Sequence, residues 1–214
     1  MNRGEFLENN TSYGLMGLDL ALKEYLDFPN GFFIEAGAND GVSQNNTKIF
    51  EDLYGWTGLL VEPSFDAFSK CVVNRPNCIK VNCALTSSDE IKSLYGDFDG
   101  HLMSSINGSR RESEFSIQVQ SRTLTSILNE YKVEKVDFIS LDVEGHELSV
   151  LQGMDFNKWV PKYILIEINR DARKSIEDYL STFGYKNIRN LSDFGPYNNP
   201  LWDGTHNDFL FELQ

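Results

Sequence analysis

The stretch Phe32–Gly41, FFIEAGANDG, joins a short apolar run to a turn that contains two glycines. Four apolar runs of similar length follow along the chain, at Gly58–Val61, Cys78–Val81, Val136–Leu141 and Tyr163–Ile166. Helix-like patterns separate or follow these runs, over residues 47–54, 64–74, 123–131, 146–152 and 171–183. Short apolar strands that alternate with helices pair in parallel and are covered on both faces. The pattern therefore predicts an α/β fold with a mostly parallel sheet.

Two segments depart from this alternation. Residues 90–121 interrupt it and predict a β-hairpin insertion around a polar loop. The final run, Asp208–Leu213, follows a strand predicted over Tyr185–Arg189 after only a loop. Because no helix joins these two strands, we expect them to pair antiparallel.

The chain shows no internal division. Apolar residues recur every three or four positions from Leu15 to Phe28, which predicts an amphipathic helix ahead of the first strand. No repeat and no Pro/Gly-rich linker interrupts the rest. We therefore expect a single domain over residues 1–214, with an N-terminal helical segment over 1–30 and a core over 31–214.

The composition excludes several classes of protein. The 214 residues include 19 Lys and Arg against 32 Asp and Glu, which gives a net charge of −13. Nucleic-acid binders need a clustered basic face, so no nucleic-acid partner is expected. No run approaches the roughly 18 apolar residues of a membrane span, and the start of the sequence lacks the apolar centre of a signal peptide. We therefore expect a cytoplasmic protein without membrane insertion.

Acidic side chains end four of the predicted parallel strands: Glu35, Glu62, Asp142 and Glu167. Each of them alone is typical of a helix cap or a solvated turn. In an open α/β sheet, however, ligands bind outside the carboxyl ends of the strands. The four carboxylates are therefore expected to converge on one crevice.

The turn after the first strand indicates which ligand that crevice takes. It lacks the Gly-x-Gly-x-x-Gly spacing that binds a pyrophosphate, and Glu35 would repel such a group. A carboxylate suits a cationic ligand better, such as the amino-acid moiety of S-adenosylmethionine (SAM). Glu62 ends the next strand, where a carboxylate binds the two ribose hydroxyls of a nucleoside. The pair favours a nucleoside without phosphates and argues against a dinucleotide-dependent oxidoreductase.

Two longer blocks resemble a known family. Phe33–Gly41, FIEAGANDG, and Val136–Glu147, VDFISLDVEGHE, are similar to two motif blocks of the FkbM-family methyltransferases, and Leu60–Pro63 and Val81–Leu85 fit the blocks between them. The similarity covers nearly the whole chain. It implies a class I, Rossmann-like fold with seven strands, the last of them antiparallel. It also implies SAM-dependent O-methylation of sugars or other hydroxylated natural products.

The resemblance further implies which residues contact the methyl donor. They are Glu35, Gly37, Asn39, Asn46, Thr47, Glu62, Pro63, Asn82, Cys83, Ala84 and Asp142. Glu62 would bind the ribose, and residues 82–84 would lie near the adenine. Phe65 either flanks the adenine or belongs to the core.

An acceptor hydroxyl has to lose its proton, and the sequence offers two devices for this step. A metal such as Mg²⁺ lowers the pKa of a hydroxyl that it binds. Oxygen ligands are available at neighbouring strand ends from Asp142 and Glu167, with Asn169 or Asp208 to complete the set. The other device is His146 as a general base beside Asp142 and Glu144. His146 could instead be a structural residue, hydrogen-bonded to a neighbouring glutamate at the start of a helix. The catalytic candidates are therefore Asp142, Glu144 and His146.

Loop residues supply the candidates for acceptor binding. His101 and His206 are both expected in loops, and His101, with Ser104 and Ser105, either reaches over the site or lies in an ordinary solvated loop. Three aromatic residues precede the last strand, Phe194, Tyr197 and Trp202. Their rings would either stack on a sugar or pin their own loop.

These patterns favour a SAM-dependent O-methyltransferase that acts on a carbohydrate hydroxyl, such as a deoxyhexose in a glycan. The strand that ends at Asp142 lacks the Asn/Asp-Pro-Pro-aromatic motif that would indicate N-methylation. Two alternatives remain. The acceptor could be a polyketide, a lipid or another small hydroxylated metabolite, or the chain could be a non-catalytic SAM-binding module.

Overall fold

The computed structural model describes residues 12–96, 117–192 and 204–214. Within these ranges, seven strands form the main sheet: β1 (Phe32–Ala36), β2 (Thr57–Val61), β3 (Ile79–Val81), β7 (Phe138–Leu141), β8 (Tyr163–Asn169), β9 (Tyr185–Asn190) and β10 (His206–Leu213). Their order is β3-β2-β1-β7-β8-β10-β9. All neighbouring pairs from β3 to β8 are parallel, whereas β10 is antiparallel to both of its neighbours. The predicted seven-stranded, mostly parallel sheet with an antiparallel last strand is confirmed.

Helices cover both faces of this sheet. They are α1 (Leu18–Leu26), α2 (Lys48–Tyr54), α3 (Phe65–Asn74), α4 (Leu124–Glu130), α5 (Glu147–Gln152) and α6 (Arg173–Ser181). Buried side chains of α4, α5 and α6 form one apolar core, and those of α1, α2 and α3 form a second core on the opposite face. The strands are continuous apolar runs because successive side chains enter these two cores in turn, as Phe33 and Ile34 do.

The N-terminal helix is shorter than the sequence predicts. The expected helix over Leu15–Phe28 is divided into a 3₁₀ turn, Leu15–Gly17, and α1, which ends at Leu26. Gly17 has a left-handed backbone with φ 82°, and this conformation stops the turn before α1 begins. No helix among the described residues is long and apolar enough to cross a membrane.

The predicted insertion contributes two strands to a second, smaller sheet. The strands of this sheet are β4 (Ala84–Leu85), β5 (Ser93–Gly96) and β6 (Ile117–Arg122), in the order β4-β6-β5. β5 and β6 pair antiparallel, which confirms the two arms of the hairpin. β4 pairs in parallel with β6 directly after β3 ends, so the insertion is attached beside the carboxyl end of the main sheet. His101, Ser104 and Ser105 lie outside the described residues, and so do Phe194, Tyr197 and Trp202.

Candidate active site

Three carboxylates lie in one row across neighbouring strands at the carboxyl edge of the sheet. Leu141 of β7 pairs with Ile166 of β8, so Asp142 and Glu167 follow at the next position of each strand. Asp208 of β10 pairs directly with Glu167. Partner residues of adjacent strands point to the same face. The topology therefore brings Asp142, Glu167 and Asp208 together on the face that packs against α1.

Gly37 brings the loop after β1 onto the end of β7. Its backbone is left-handed, with φ 86°, and its N–H donates to the carbonyl oxygen of Val61 at 3.0 Å. A Cβ at this position would lie 1.8 Å from the carbonyl oxygen of Asp142. Because only glycine fits there, the sequence Glu-Ala-Gly-Ala-Asn lets two loops meet at the centre of the carboxyl edge. A ligand seated there would contact backbone at close range.

Glu35 uses both carboxylate oxygens within the protein. One oxygen accepts the N–H of Asn46 at 2.8 Å, and the other accepts the hydroxyl of Thr47. Burial raises the pKa of Glu35, while the nearby charge of Arg75 acts in the opposite direction. Glu35 therefore holds the chain at the start of α2. Its predicted contact with the donor stays a prediction, since this geometry shows its oxygens hydrogen-bonded to the chain itself.

Glu62 connects the loops that follow β1 and β2. One of its oxygens accepts the N–H of Asn39 at 2.8 Å, and the other accepts the N–H of Ser64 at 2.8 Å. Burial raises the pKa of Glu62 to about 7, against the effect of these two hydrogen bonds, and the charge of Asp142 adds to the rise. Asn39 has a left-handed backbone with φ 49°, uncommon outside glycine and typical of functional loops.

Two of the residues predicted near the adenine, Phe65 and Asn82, line a cavity of about 300 Å³. Pro63, Phe65 and Asn82 line one side of it, and residues 117–120 of β6 line the other. Phe65 is 70% exposed, so it does not belong to the core. The Asn82 amide donates to the carbonyl oxygens of Glu62 and Pro63 at 2.8 and 3.0 Å. Cys83 and Ala84 are buried and do not line this cavity, so their predicted contact with the donor stays a prediction.

The sequence did not indicate the contribution of β6 to this cavity. In residues 117–120, IQVQ, apolar and polar residues alternate, as in any half-buried strand. This alternation does not indicate that the strand lies near the end of β3. The contact depends on the pairing of β4 with β6 across more than thirty residues of chain. Only the three-dimensional structure shows it.

A second group of carboxylates surrounds the end of β7. Oxygens of Asp142, Glu144 and Glu167 lie within 4.8 Å of one another, with Asp142 exposed and the other two half-buried. The amide nitrogen of Asn169 lies 3.8 Å from where a Cβ on Gly145 would stand, so Asn169 reaches the same edge. The predicted ligands are thus neighbours, and Glu144 joins them. Carboxylate oxygens in such a group suit a hard cation such as Mg²⁺.

The side chain of Glu147 stabilises the turn between β7 and α5, a role that the sequence did not reveal. One oxygen of Glu147 accepts the N–H of Gly145 at 2.9 Å and that of Val143 at 3.2 Å. Burial raises the pKa of Glu147 to about 7 against these hydrogen bonds. Glu144 sits between them with a left-handed φ of 56°. Glu147 therefore stabilises the strained turn that carries Asp142 and Glu144. The only sequence feature that pointed to this role is the position of Glu147, an acidic residue in the first turn of α5.

His146 precedes α5 and is half-buried. Burial lowers the pKa of its imidazole, so the ring is neutral at pH 7 and able to accept a proton. Its Nε2 atom is buried and has no hydrogen-bond partner among the described residues. His206 was expected in a loop, and this is wrong: it is the first residue of β10, paired with Asn169, and its Nε2 lies 3.9 Å from a Glu167 oxygen.

Comparison with known proteins identifies the family of the chain. The family model of the Methyltransferase FkbM domain matches residues 35–187, which is more than half of the chain. The chain belongs to the FkbM methyltransferase family. It is thus a member of a SAM-dependent methyltransferase family with a class I fold, as the sequence predicts.

The relatives of this FkbM methyltransferase are distant. Methyltransferase sdnD of Sordaria araneosa is 29% identical over 91 residues, which cover 37% of this chain and 35% of sdnD. The crystal structure of Methyltransferase FkbM from Methylobacillus flagellatus KT is 16% identical, with a TM-score of 0.55, over 85% of this chain and 44% of the other. The METTL16 MTase domain is 10% identical, with a TM-score of 0.54, over 93% of this chain and 67% of the other. The chain therefore spans about a third of sdnD and less than half of the Methylobacillus protein.

Proposed function

We propose that this FkbM methyltransferase transfers the methyl group of SAM to a sugar hydroxyl, with a deoxyhexose such as rhamnose or fucose in a glycan as the acceptor. The observation that supports this most is the group of carboxylates Asp142, Glu144 and Glu167 at the ends of β7 and β8, with the neutral imidazole of His146 in the turn that carries Asp142 and Glu144. A hydroxyl is a poor nucleophile until its proton is removed. Bases beside the donor site suit an oxygen acceptor.

The donor site is assigned to the loops after β1, β2 and β3. Gly37 lets the loop after β1 approach the carbonyl oxygen of Asp142 at the centre of the carboxyl edge, where a side chain would not fit. Glu62 is placed for the ribose hydroxyls, and the cavity beside Phe65 and Asn82 is large enough for an adenine ring. These features fit SAM, whose sulfonium supplies a methyl group that is already activated. The protein then has mainly to align the acceptor oxygen with that methyl group.

Proton removal is assigned to the end of β7. Asp142, Glu144 and Glu167 would hold Mg²⁺, and a bound Mg²⁺ lowers the pKa of a hydroxyl that it contacts. His146 is neutral at pH 7 and would accept the proton of the acceptor hydroxyl whether or not Mg²⁺ is bound. Asp208 lies beside Glu167, and burial raises its pKa to about 7, so above that pH it adds to the negative field around the acceptor. Such a field favours a neutral, polyhydroxylated acceptor over a phosphorylated one.

The test is the formation of S-adenosylhomocysteine from SAM over a panel of free and glycosidically linked deoxyhexoses, with EDTA and with Mg²⁺ added back. We expect turnover on at least one linked deoxyhexose. Loss with EDTA and recovery with Mg²⁺ would support the metal, whereas turnover that survives EDTA would assign the proton-accepting role to His146 alone. No turnover on any sugar, with product binding intact, would contradict a sugar acceptor and favour another hydroxylated metabolite or a non-catalytic module.

Two variants separate chemistry from binding. His146→Ala and Asp142→Asn should each lower kcat by about 10²-fold or more if these groups handle the acceptor proton. His146→Ala should leave the affinity for S-adenosylhomocysteine within about 2-fold, measured by calorimetry, because the donor loops do not depend on its side chain. A His146→Ala enzyme with full kcat would remove this residue from the mechanism.

A further inference from the structure

Arg75 is a cationic side chain that is completely buried, with 0% of its surface exposed. It follows α3 directly, and the ring of Phe33 lies 5.2 Å beneath its guanidinium. A buried charge is costly unless hydrogen bonds and counter-charges compensate for it. The partners of Arg75 therefore show what the side chain does.

Three of those partners belong to the segment between β1 and α2. One terminal nitrogen of Arg75 donates to the carbonyl oxygen of Gly41 at 3.0 Å and to the side-chain oxygen of Asn45 at 2.9 Å. The other terminal nitrogen donates to the hydroxyl of Thr47 at 3.2 Å. The remaining Nε pairs with Glu51 on α2. One planar group thus fixes three points of a single loop.

Two of the residues that Arg75 contacts, Asn45 and Thr47, make further hydrogen bonds within the loop. The Asn45 oxygen also accepts the N–H groups of Thr47 and Lys48, at 3.2 and 2.8 Å, and so begins α2. The Thr47 hydroxyl donates to Glu35, which in turn accepts the N–H of Asn46. The conformation of residues 41–48 therefore depends on the guanidinium, directly or through one intermediate.

Gly41 allows the loop to pass close to the side chain of Arg75. A Cβ on Gly41 would lie 2.7 Å from the Arg75 Cγ, and Gly41 has a left-handed φ of 79°. A glycine is needed here because the loop passes directly over the arginine stem. The second glycine of the Gly-Ala-Asn-Asp-Gly turn is thus explained by Arg75, as the first is explained by Asp142.

We infer that Arg75 is a positioning residue for the methyl donor: it lies beneath the loop from Gly37 to Thr47 and holds that loop in the shape that receives the amino-acid end of SAM. The inference depends on the donor site proposed above. An arginine is required because its rigid fork presents several donors in one plane, whereas a lysine ammonium cannot reach three separated acceptors in the same way.

If Arg75 only stabilised the fold, its substitution would affect donor binding no more than any other destabilising substitution does. Two control variants distinguish this stabilising role from the positioning role. Glu51→Gln removes the charge on the opposite side of the guanidinium but leaves the three loop contacts in place. Leu180→Ala removes a buried side chain of α6 and leaves a cavity in the apolar core formed by α4, α5 and α6, on the face of the sheet opposite to Arg75. It therefore lowers stability without touching the donor loop. Both should retain donor affinity if position rather than stability governs binding.

The experiment compares Arg75→Lys with these controls in the full chain. S-adenosylhomocysteine affinity is measured by calorimetry, and amide hydrogen exchange of residues 39–47 is followed in the donor-free protein. We expect Arg75→Lys to weaken binding by about 10-fold or more and to speed exchange in this loop. With an acceptor, KM for SAM should rise more than KM for the acceptor. Leu180→Ala and Glu51→Gln should bind within about 2-fold of the unmodified protein.

Equal affinities for Arg75→Lys and Leu180→Ala, at similar losses of thermal stability, would overturn the inference and leave Arg75 as a stabilising residue. Glu62→Ala tests the donor site separately. If Glu62→Ala binds S-adenosylhomocysteine normally, the assignment of the donor site fails and the inference fails with it. If Glu62→Ala loses binding and Arg75→Lys does not, only the role of Arg75 is wrong.

Discussion

Gly37 and Gly204 share a left-handed backbone with φ 86° but have different surroundings. A Cβ on Gly37 would lie 1.8 Å from a carbonyl oxygen, whereas a Cβ on Gly204 would meet nothing within 4 Å among the described residues. Gly204→Ala should therefore add only backbone strain of about 1–2 kcal/mol. Gly37→Ala should cost more than about 3 kcal/mol and weaken S-adenosylhomocysteine binding at least about 10-fold, because the loop has to move.

The measurement is a pair of thermal denaturation curves with calorimetric titrations for both variants. Gly204→Ala is the matched control, since its backbone angle is the same and only the close contact is missing. Similar losses of affinity in the two proteins would mean that the approach of Gly37 to Asp142 has no part in donor binding.

At the residue level, the sequence located the acidic strand ends but not their hydrogen bonds. Glu35, Glu62, Asp142 and Glu167 could be predicted because each ends an apolar run, and such ends meet at one edge of a parallel sheet. The bond from the Asn46 amide to Ser140 joins positions 94 residues apart, and no local pattern encodes it. Arg75 was missed because Asn-Arg-Pro has the composition of an exposed turn.

At the element level, α1 is connected to the loop between β1 and α2, the proposed donor loop, through the segment that precedes α1. Asp19 is completely buried and accepts the Ser12 hydroxyl at 2.5 Å and the Tyr13 N–H at 2.7 Å. The Tyr13 carbonyl accepts the N–H of Asn45 at 3.1 Å. The N-terminal segment therefore lies against the loop that Arg75 holds from the other side.

Asp19→Ala should release this segment. Loss of a charged acceptor with buried donors costs about 2–3 kcal/mol, so Tm should fall by roughly 4–12 °C. Hydrogen exchange at the Asn45 amide should become faster. Asp27→Ala, at the exposed end of α1, is the control and should shift Tm by less than about 2 °C. Unchanged exchange at Asn45 would show that the segment does not restrain the loop.

The sequence predicted most elements of the main sheet because apolar runs and helical periods are local signals. The third strand begins at Ile79 rather than Cys78, and the predicted helix over 171–183 is a 3₁₀ turn, Arg170–Ala172, followed by α6. β4 has only two residues and was not predicted. So short a strand shows no alternation, and its existence depends on β6, far along the chain.

For the whole molecule, three buried carboxyl groups determine how stability depends on pH. Burial raises the pKa values of Glu62, Glu147 and Asp208 to about 7 each. In the unfolded chain these groups titrate near pH 4, so between about pH 4 and 7 the folded protein binds more protons than the unfolded one. Their contribution is complete below pH 4 and is lost as the pH rises through 7.

We therefore expect Tm of the donor-free protein to fall by at least about 5 °C between pH 5.5 and 8. The lowered pKa of His146 acts in the opposite direction below about pH 6.5, but it is one group against these three and Glu35, whose pKa burial also raises. The net charge of −13 adds repulsion in the same direction as the carboxyl groups. Circular dichroism across this range gives the measurement, and Glu147→Gln should make the curve flatter. A Tm that rises with pH would contradict these pKa directions.

The position of β10 has a consequence for biosynthesis. β10 lies between β8 and β9 although it is the last of these strands in sequence. While the ribosome is still translating, β1, β2, β3 and β7 can already assemble the half of the sheet that carries the proposed donor site. β8 keeps a bare edge until β10 emerges, and such an edge pairs readily with other chains. Slow translation between β9 and β10 would therefore prolong the interval in which nascent chains are prone to aggregate, and a chaperone that covers the β8 edge would act at that moment.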